Sequence, residues 1–254
     1  MNKTKKQFSI FSHPYKVSFN KNLLSASIFT VIIICCSLCT MWIIFPNYIS
    51  TQTNSNAVKK ENRKTIIIDA GHGGRDPGKV GTAETLEKDI NLKIALYLKE
   101  ILESQNLQVI MTREEDKDLS KNSENFKKSD MKERIALIQK NNADLVVSIH
   151  QNSYTDLNVH GAQCFYYTSS EEGKELASII QKQIISSTNQ TKIREIKSNN
   201  DYYLLKHSPL PTVIVECGFL SNPDEEKLLL TKEYQRKMAW AVHLGILQYL
   251  YSQD

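Results

Sequence analysis

Acidic residues are missing from the start of this chain: the first 45 of its 254 residues carry five lysines and no aspartate or glutamate. That gap accounts for the formal charge of +4, because the rest holds 27 basic against 28 acidic residues. A near-neutral remainder lacks the basic surface that neutralises phosphates, so no nucleic-acid partner is expected. Cysteine is also sparse. Three of the five (Cys35, Cys36, Cys39) lie in one apolar run, and none follows a small-residue lipobox. Cys164 and Cys217 fall in strand-like stretches. They could pair in an oxidising compartment, but buried thiols suit such stretches equally, and no disulfide is expected. Glycine is scarce too, yet five of the nine glycines crowd between Gly71 and Gly81.

The apolar run itself, LLSASIFTVIIICCSLCTMWIIF, is uncharged for 23 residues. About 20 helical residues cross a bilayer, whereas a cleaved signal peptide has an apolar region of roughly 7–15 and a small-residue cleavage site. Residues 23–45 are therefore expected to be an uncleaved transmembrane signal-anchor. Lysines on its N-terminal side make residues 1–22 a cytoplasmic basic tail. The expected location is the cell membrane, single-pass, with everything after the anchor extracytoplasmic. Residues 46–63 are polar without hydrophobic periodicity and read as a linker. Residues 64–254 form the folded domain.

Within that domain, strand-like runs alternate with helical patterns. TIIID (65–69), LQVIMT (107–112), DLVVSIH (144–150), AQCFYYT (162–168) and PTVIVECG (211–218) read as strands. Their continuous Ile/Val runs predict strands covered on both faces. Leu86, Ile90, Ile94, Leu98 and Leu102 recur at helical spacing. Further helices are expected at 130–141, 171–187 and 232–252. The alternation predicts an α/β fold: one domain with a mostly parallel twisted sheet flanked by helices, preceded by the membrane helix.

The glycines sit in IIIDAGHGGRDPG, directly after the first strand. A phosphate cradle would need a following Lys-Ser/Thr, which is absent. A sharp turn that aims His72 inward and leaves room above it fits better. In open α/β sheets ligands bind beyond the carboxyl ends of the strands. His72 follows the first strand, His150 closes VVSIH, Glu216 closes VIVE, and Glu87 opens the first helix above the same edge. Imidazole and carboxylate groups converging from separated stretches suit a zinc site with one open position. The alternative is that either histidine is an ordinary polar residue at a strand end.

DAGHGGRDPG, LEKDINL, SIHQN and ECGFLSN, in that order, resemble the zinc-dependent N-acetylmuramoyl-L-alanine amidases of the type 3 family over roughly residues 64–250. The resemblance implies one Zn2+ per chain held by His72, Glu87 and His150, with Glu216 as the catalytic residue. It implies peptidoglycan as substrate, cut between N-acetylmuramic acid and L-alanine. GAQCFYYTSSEEGKELA, YYLLK and ECGFLSNPDEEKLL are most similar to the germination-specific amidases of spore-formers, which act in spore cortex maturation ahead of muramic δ-lactam formation. A vegetative autolysin and a non-catalytic peptidoglycan-binding domain are the alternatives. The former usually carries wall-binding repeats, and retention of all four residues argues against the latter. Residues 151–210 are expected to be used up by one strand, one helix and short connections, leaving no inhibitory helix. Control is then expected from timed expression or an extracytoplasmic activating protein.

Five other residues are weighed against this set. Asp69 is a candidate to orient His72, and Arg75 and Asn152 are candidate substrate contacts. His160 and His207 are expected to be surface or capping residues. The charged stretch 113–130 reads as a solvated loop.

Overall fold

The computed structural model describes residue 34 and residues 63–252, apart from 123 and 191. The expected tail, signal-anchor and linker lie outside the described residues, Ile34 and residue 63 excepted. Among the described residues no helix is long and apolar enough to cross a membrane.

Residues 62–254 form one compact unit. Its elements, in chain order, are β1 (Thr65–Ala70), α1 (Glu87–Ser104), β2 (Gln108–Met111), α2 (Phe126–Lys140), β3 (Leu145–Asn152), β4 (Gln163–Tyr166), α3 (Glu171–Thr188), β5 (Lys197–Ser198), α4 (Tyr203–His207), β6 (Thr212–Phe219), α5 (Pro223–Leu229) and α6 (Lys232–Tyr251). The sheet runs β2-β1-β3-β6-β4-β5. β2, β1, β3 and β6 are mutually parallel, and β4 runs antiparallel to β6 with β5 parallel to β4. The sheet is thus mostly parallel, as the βα alternation predicts.

The uninterrupted Ile/Val runs occupy the middle of the sheet. Every residue of β1 and of β6 is buried. Side chains alternate between faces along a strand, so each run feeds two cores. Ile66, Ile68, Val147, Val213 and Val215 join Ile90, Ile94 and Leu98 of α1, Leu176 and Ile180 of α3, and Met238, Val242 and Ile246 of α6. Ile67 and Val146 face the other way, onto Ile135 and Ile138 of α2 and Leu204 of α4. Cys164 and Cys217 are free, buried thiols within the larger cluster.

Three departures from the sequence reading have local causes. Helix α2 starts four residues before the expected Asp130, where Asn125 accepts from Lys128 N as its N-cap. Helix α5 was not anticipated, although NPDEE carries its signals: Asn222 accepts from Asp224 N and Glu225 N, Pro223 opens the first turn, and acids follow. Residues 151–210 hold β5 and α4 besides the expected strand and helix; both are too short to leave a periodic pattern.

Candidate metal centre

Where β1 leaves the sheet, the carbonyls of Ala70, Gly71 and His72 pass beyond the reach of neighbouring strands. Buried carbonyls need donors, and two buried arginines supply them. Arg113 donates to Ala70 O (2.9 Å) and Gly71 O (3.0 Å). Arg134 donates to Ala70 O (3.0 Å) and His72 O (2.7 Å), and Asn91 adds a bond to Gly71 O (3.1 Å). Held this way, His72 adopts φ 61°, a left-handed conformation uncommon for a residue with a Cβ. The turn also needs space. A Cβ on Gly71 would sit 2.3 Å from His150 Cε1 and Nε2, and one on Gly78 (φ +73°) would sit 2.6 Å from Glu87 Oε2 and 2.8 Å from His72 Cδ2. Those two glycines let the backbone pass beside the functional side chains.

Three of the four sequence candidates then meet. His72 Nε2 lies 3.1 Å from Glu87 Oε2, and His150 Nδ1 lies 2.9 Å from Glu87 Oε1. One ligand atom from each falls within 4.8 Å of the others, a grouping able to hold a metal ion. Glu87 is the first residue of α1, where the helix dipole favours a carboxylate. It also accepts from Lys79 N (2.8 Å), Gln151 N (3.1 Å) and Asn91 Nδ2 (3.2 Å).

The charges show what the trio lacks. Burial would lower the pKa of His72, but the carboxylates of Asp76 and Glu87 outweigh it and raise it to about 9. Burial would raise Glu87, and the two histidines outweigh it, holding that carboxyl well below its usual range. Asp76 and Glu87 thus set two negative charges around His72. A divalent cation would satisfy the same field while leaving His72 neutral, and two imidazoles with one carboxylate are a zinc donor set. The residues fit the metal.

Glu216, the fourth candidate, stands apart from that trio. It is the register partner of His150 across β3 and β6, and it is 6% exposed. Burial raises its pKa to about 7, with Glu87 adding to the rise and His150 and His72 opposing it. Its Oε1 accepts from the Tyr202 hydroxyl at 3.4 Å, and its Oε2 has no hydrogen-bond partner among the described residues. His72, Glu87, His150 and Glu216 all line one cleft of about 410 Å³, with Lys79, Lys127, Asn152, Ser153 and Tyr202 on its walls.

Other expectations change. Asp69 does not orient His72: it is buried against Arg134 Nη1 (2.5 Å), Thr112 Oγ1 (2.9 Å) and Ser148 Oγ (2.5 Å). Burial pushes its pKa up, but Arg134 chiefly, with His150 and Ser148, brings it down to about 2. The partner of His72 Nδ1 is Asp76, at 2.7 Å, itself paired with Lys127 Nζ (2.8 Å). Asn152 lines the cleft, whereas Arg75 is taken up by Asp118 and the Phe126 ring. His207 stacks on Tyr203 at the end of α4. His160 lines a separate cavity of about 520 Å³ beside α5, which contains none of the four candidates. The stretch 113–130 is not simply solvated, since Arg113 and Asp130 at its ends are buried. Arg113, Arg134, Asp76 and Tyr202 all escaped the sequence reading. For Arg134 a signal existed: it pairs with Asp130 one helical turn earlier (2.7 Å), beside the buried Ile135.

Comparison with known proteins bears on the same region. The profile of the family described as N-acetylmuramoyl-L-alanine amidase matches residues 66–248. The germination-specific N-acetylmuramoyl-L-alanine amidase of Bacillus subtilis is 39% identical over 190 residues, covering 73% of this chain and 79% of that protein. The CwlD amidase of Clostridioides difficile, solved in complex with the GerS lipoprotein, superposes with TM-score 0.73 at 44% identity, covering 76% of this chain and all of that one. An N-acetylmuramoyl-L-alanine amidase from Clostridium difficile 630 superposes with TM-score 0.69 at 34% identity, over 76% of this chain and 100% of the other.

Proposed function

The chain belongs to the N-acetylmuramoyl-L-alanine amidase family, and from that premise we propose that it is a zinc hydrolase of the spore cortex, cutting the bond between N-acetylmuramic acid and the first L-alanine of the stem peptide. One observation carries the reading. The two histidines and the glutamate of a zinc donor set converge in a cleft where a further buried carboxyl, Glu216, stays outside the set and is raised by burial to about 7.

His72, Glu87 and His150 would hold the ion. Bound zinc supplies Lewis-acid activation of water and of an amide carbonyl. Glu216 takes a proton as water attacks the lactyl carbonyl, then returns it to the alanine nitrogen as the C–N bond breaks. A carboxyl tuned near neutrality can do both, because neither protonation state is strongly favoured. Asp76 accepts from His72 Nδ1 and so turns Nε2 toward Glu87. Asn152, Lys79 and Lys127 line the walls where glycan or peptide would lie.

The cortex role draws on the likeness to the germination-specific enzyme of Bacillus subtilis. The uncharged run at 23–45 supports attachment to the membrane with the domain outside, where peptidoglycan lies. The relative solved with a lipoprotein supports an extracytoplasmic activating partner. The test is to digest peptidoglycan with the zinc-loaded full chain and label new amino termini. N-terminal alanine should appear, about one zinc should bind per chain, and His72→Ala, Glu87→Ala and His150→Ala should each lose the metal. Digestion without new alanine termini refutes the amidase reading, and unchanged zinc in all three variants refutes the ligand set.

A further inference from the structure

The two oxygens of the Glu216 carboxylate have different surroundings. Oε1 accepts from the Tyr202 hydroxyl at 3.4 Å, while Oε2 is buried without a hydrogen-bond partner among the described residues. Buried carboxylate oxygens are rarely left unpaired without a role. Tyr202 is itself held on two sides. Its ring meets Phe165 edge-on, with centroids 5.5 Å apart, and its backbone N donates to Asn199 Oδ1 at 2.8 Å. It stands at the N-cap of α4 and lines the cleft. The phenol is therefore a fixed donor, aimed at one oxygen of the buried carboxylate. The 3.4 Å separation is long for such a bond, as catalytic hydrogen bonds often are before substrate arrives.

We propose that Tyr202 is a positioning residue for hydrolysis: its O–H holds Glu216 Oε1, which leaves Oε2 as the oxygen that moves the proton. This rests on the amidase reading. Oε2 accepts the proton of the attacking water as the new C–O bond forms. It then gives that proton to the alanine nitrogen as the C–N bond breaks, so the carboxylate is restored and only water is consumed. Without the phenol, the carboxylate is free to rotate about its Cγ–Cδ bond and spends part of its time with neither oxygen aimed.

Tyr202→Phe keeps the ring against Phe165 and removes only the donor. Measured on a soluble muramoyl-peptide with the zinc-loaded full chain, kcat should fall about ten- to a hundredfold, as loss of one hydrogen bond to a charged group implies. KM, zinc content and melting temperature should stay those of the wild type. Glu216→Asp draws the carboxylate back from the phenol. In that background Tyr202→Phe should cost less than about threefold, because residues acting as one unit are not additive. An unchanged kcat in Tyr202→Phe overturns the proposal. So does an equal loss in both backgrounds, since the phenol would then act without Glu216. If the wild type releases no N-terminal alanine, the amidase reading itself has failed, a result distinct from either.

Discussion

On the side of the sheet covered by α1, α3 and α6, the inward residues are chiefly hydrocarbon: Ile66, Ile68 and Ala70, then Leu145, Val147 and Ile149, then Val213 and Val215, with Gln151 bonded to Asn91 of α1 only at the end of β3. On the α2 side the same strands begin alike, with Ile67, Val146 and Ile214, but end in Asp69, Ser148, His150 and Glu216. One period-2 alternation therefore builds a core on one face and a polar cleft on the other. The apolar face is held mainly by burial, at about 1.5–3 kcal/mol for each large side chain, with buried Gln181 of α3 pairing the backbone of Cys164 and Ala162. The polar face needs partners for the charges it buries, and Arg134 and Arg113 supply them for Asp69 and the carbonyls beyond β1, while Glu216 Oε2 has none among the described residues. Glu87, the first residue of α1, enters the cleft from the apolar side, and substitutions can test how far the two faces act separately.

The largest effect belongs to Glu216→Gln. The amide matches the carboxylate in size but cannot accept the proton, so turnover should fall toward the upper end of about 10²–10⁴-fold. Zinc content and melting temperature should hold. Near-normal turnover, or loss of zinc, would move Glu216 out of the role of base.

Arg134→Met should reverse the pattern and strike the fold. It strips the buried Asp69 and Asp130 of their ion-pair partner, removes the bond to His72 O and leaves Ala70 O to Arg113 alone, at about 3–5 kcal/mol in denaturant unfolding near pH 7. The pH dependence follows from Asp69, whose pKa in the folded wild type is lowered to about 2. Its ion pair contributes fully above the unfolded carboxyl pKa of about 3.9 and is lost as pH falls through about 2. The gap between wild type and variant should therefore shrink across that window. A gap independent of pH would mean that Asp69 is not what Arg134 supports.

Ile94→Ala probes the apolar face. Ile94 is fully buried, so a cavity there should cost about 2–5 kcal/mol, nearer the lower end beside a helix able to relax. Zinc content and kcat per folded molecule should be unchanged. A tenfold fall in kcat at full occupancy would show that the two faces are coupled.

How much of this was legible beforehand follows from what each signal depends on. The central strands were readable because Ile/Val runs report burial on both faces. Helices α1, α3 and α6 were readable because their apolar spacing matches the helical repeat. The meeting of His72, Glu87, His150 and Glu216 in one cleft was readable because strand ends in a parallel sheet share one edge, and four quoted motifs mark them. Their supports were not. Asp69 ends the first Ile run and is by sequence a candidate to orient His72, but the strand's alternation turns it onto the α2 face, where Arg134 waits 65 residues away. Asp76 sits only four residues from His72, yet its carboxylate reaches the ring only because the intervening glycines fold the turn back.

By itself, then, the sequence determined the elements whose information is local or periodic: the buried strands, the amphipathic helices, the turn beyond β1 and the residues able to ligate zinc. The tertiary structure alone decided which buried charges pair, which of Asp69 and Asp76 serves His72, and which oxygen of Glu216 faces Tyr202. Such pairings join residues far apart in the chain, and their energies depend on distance and burial. Neither quantity exists until the chain has folded.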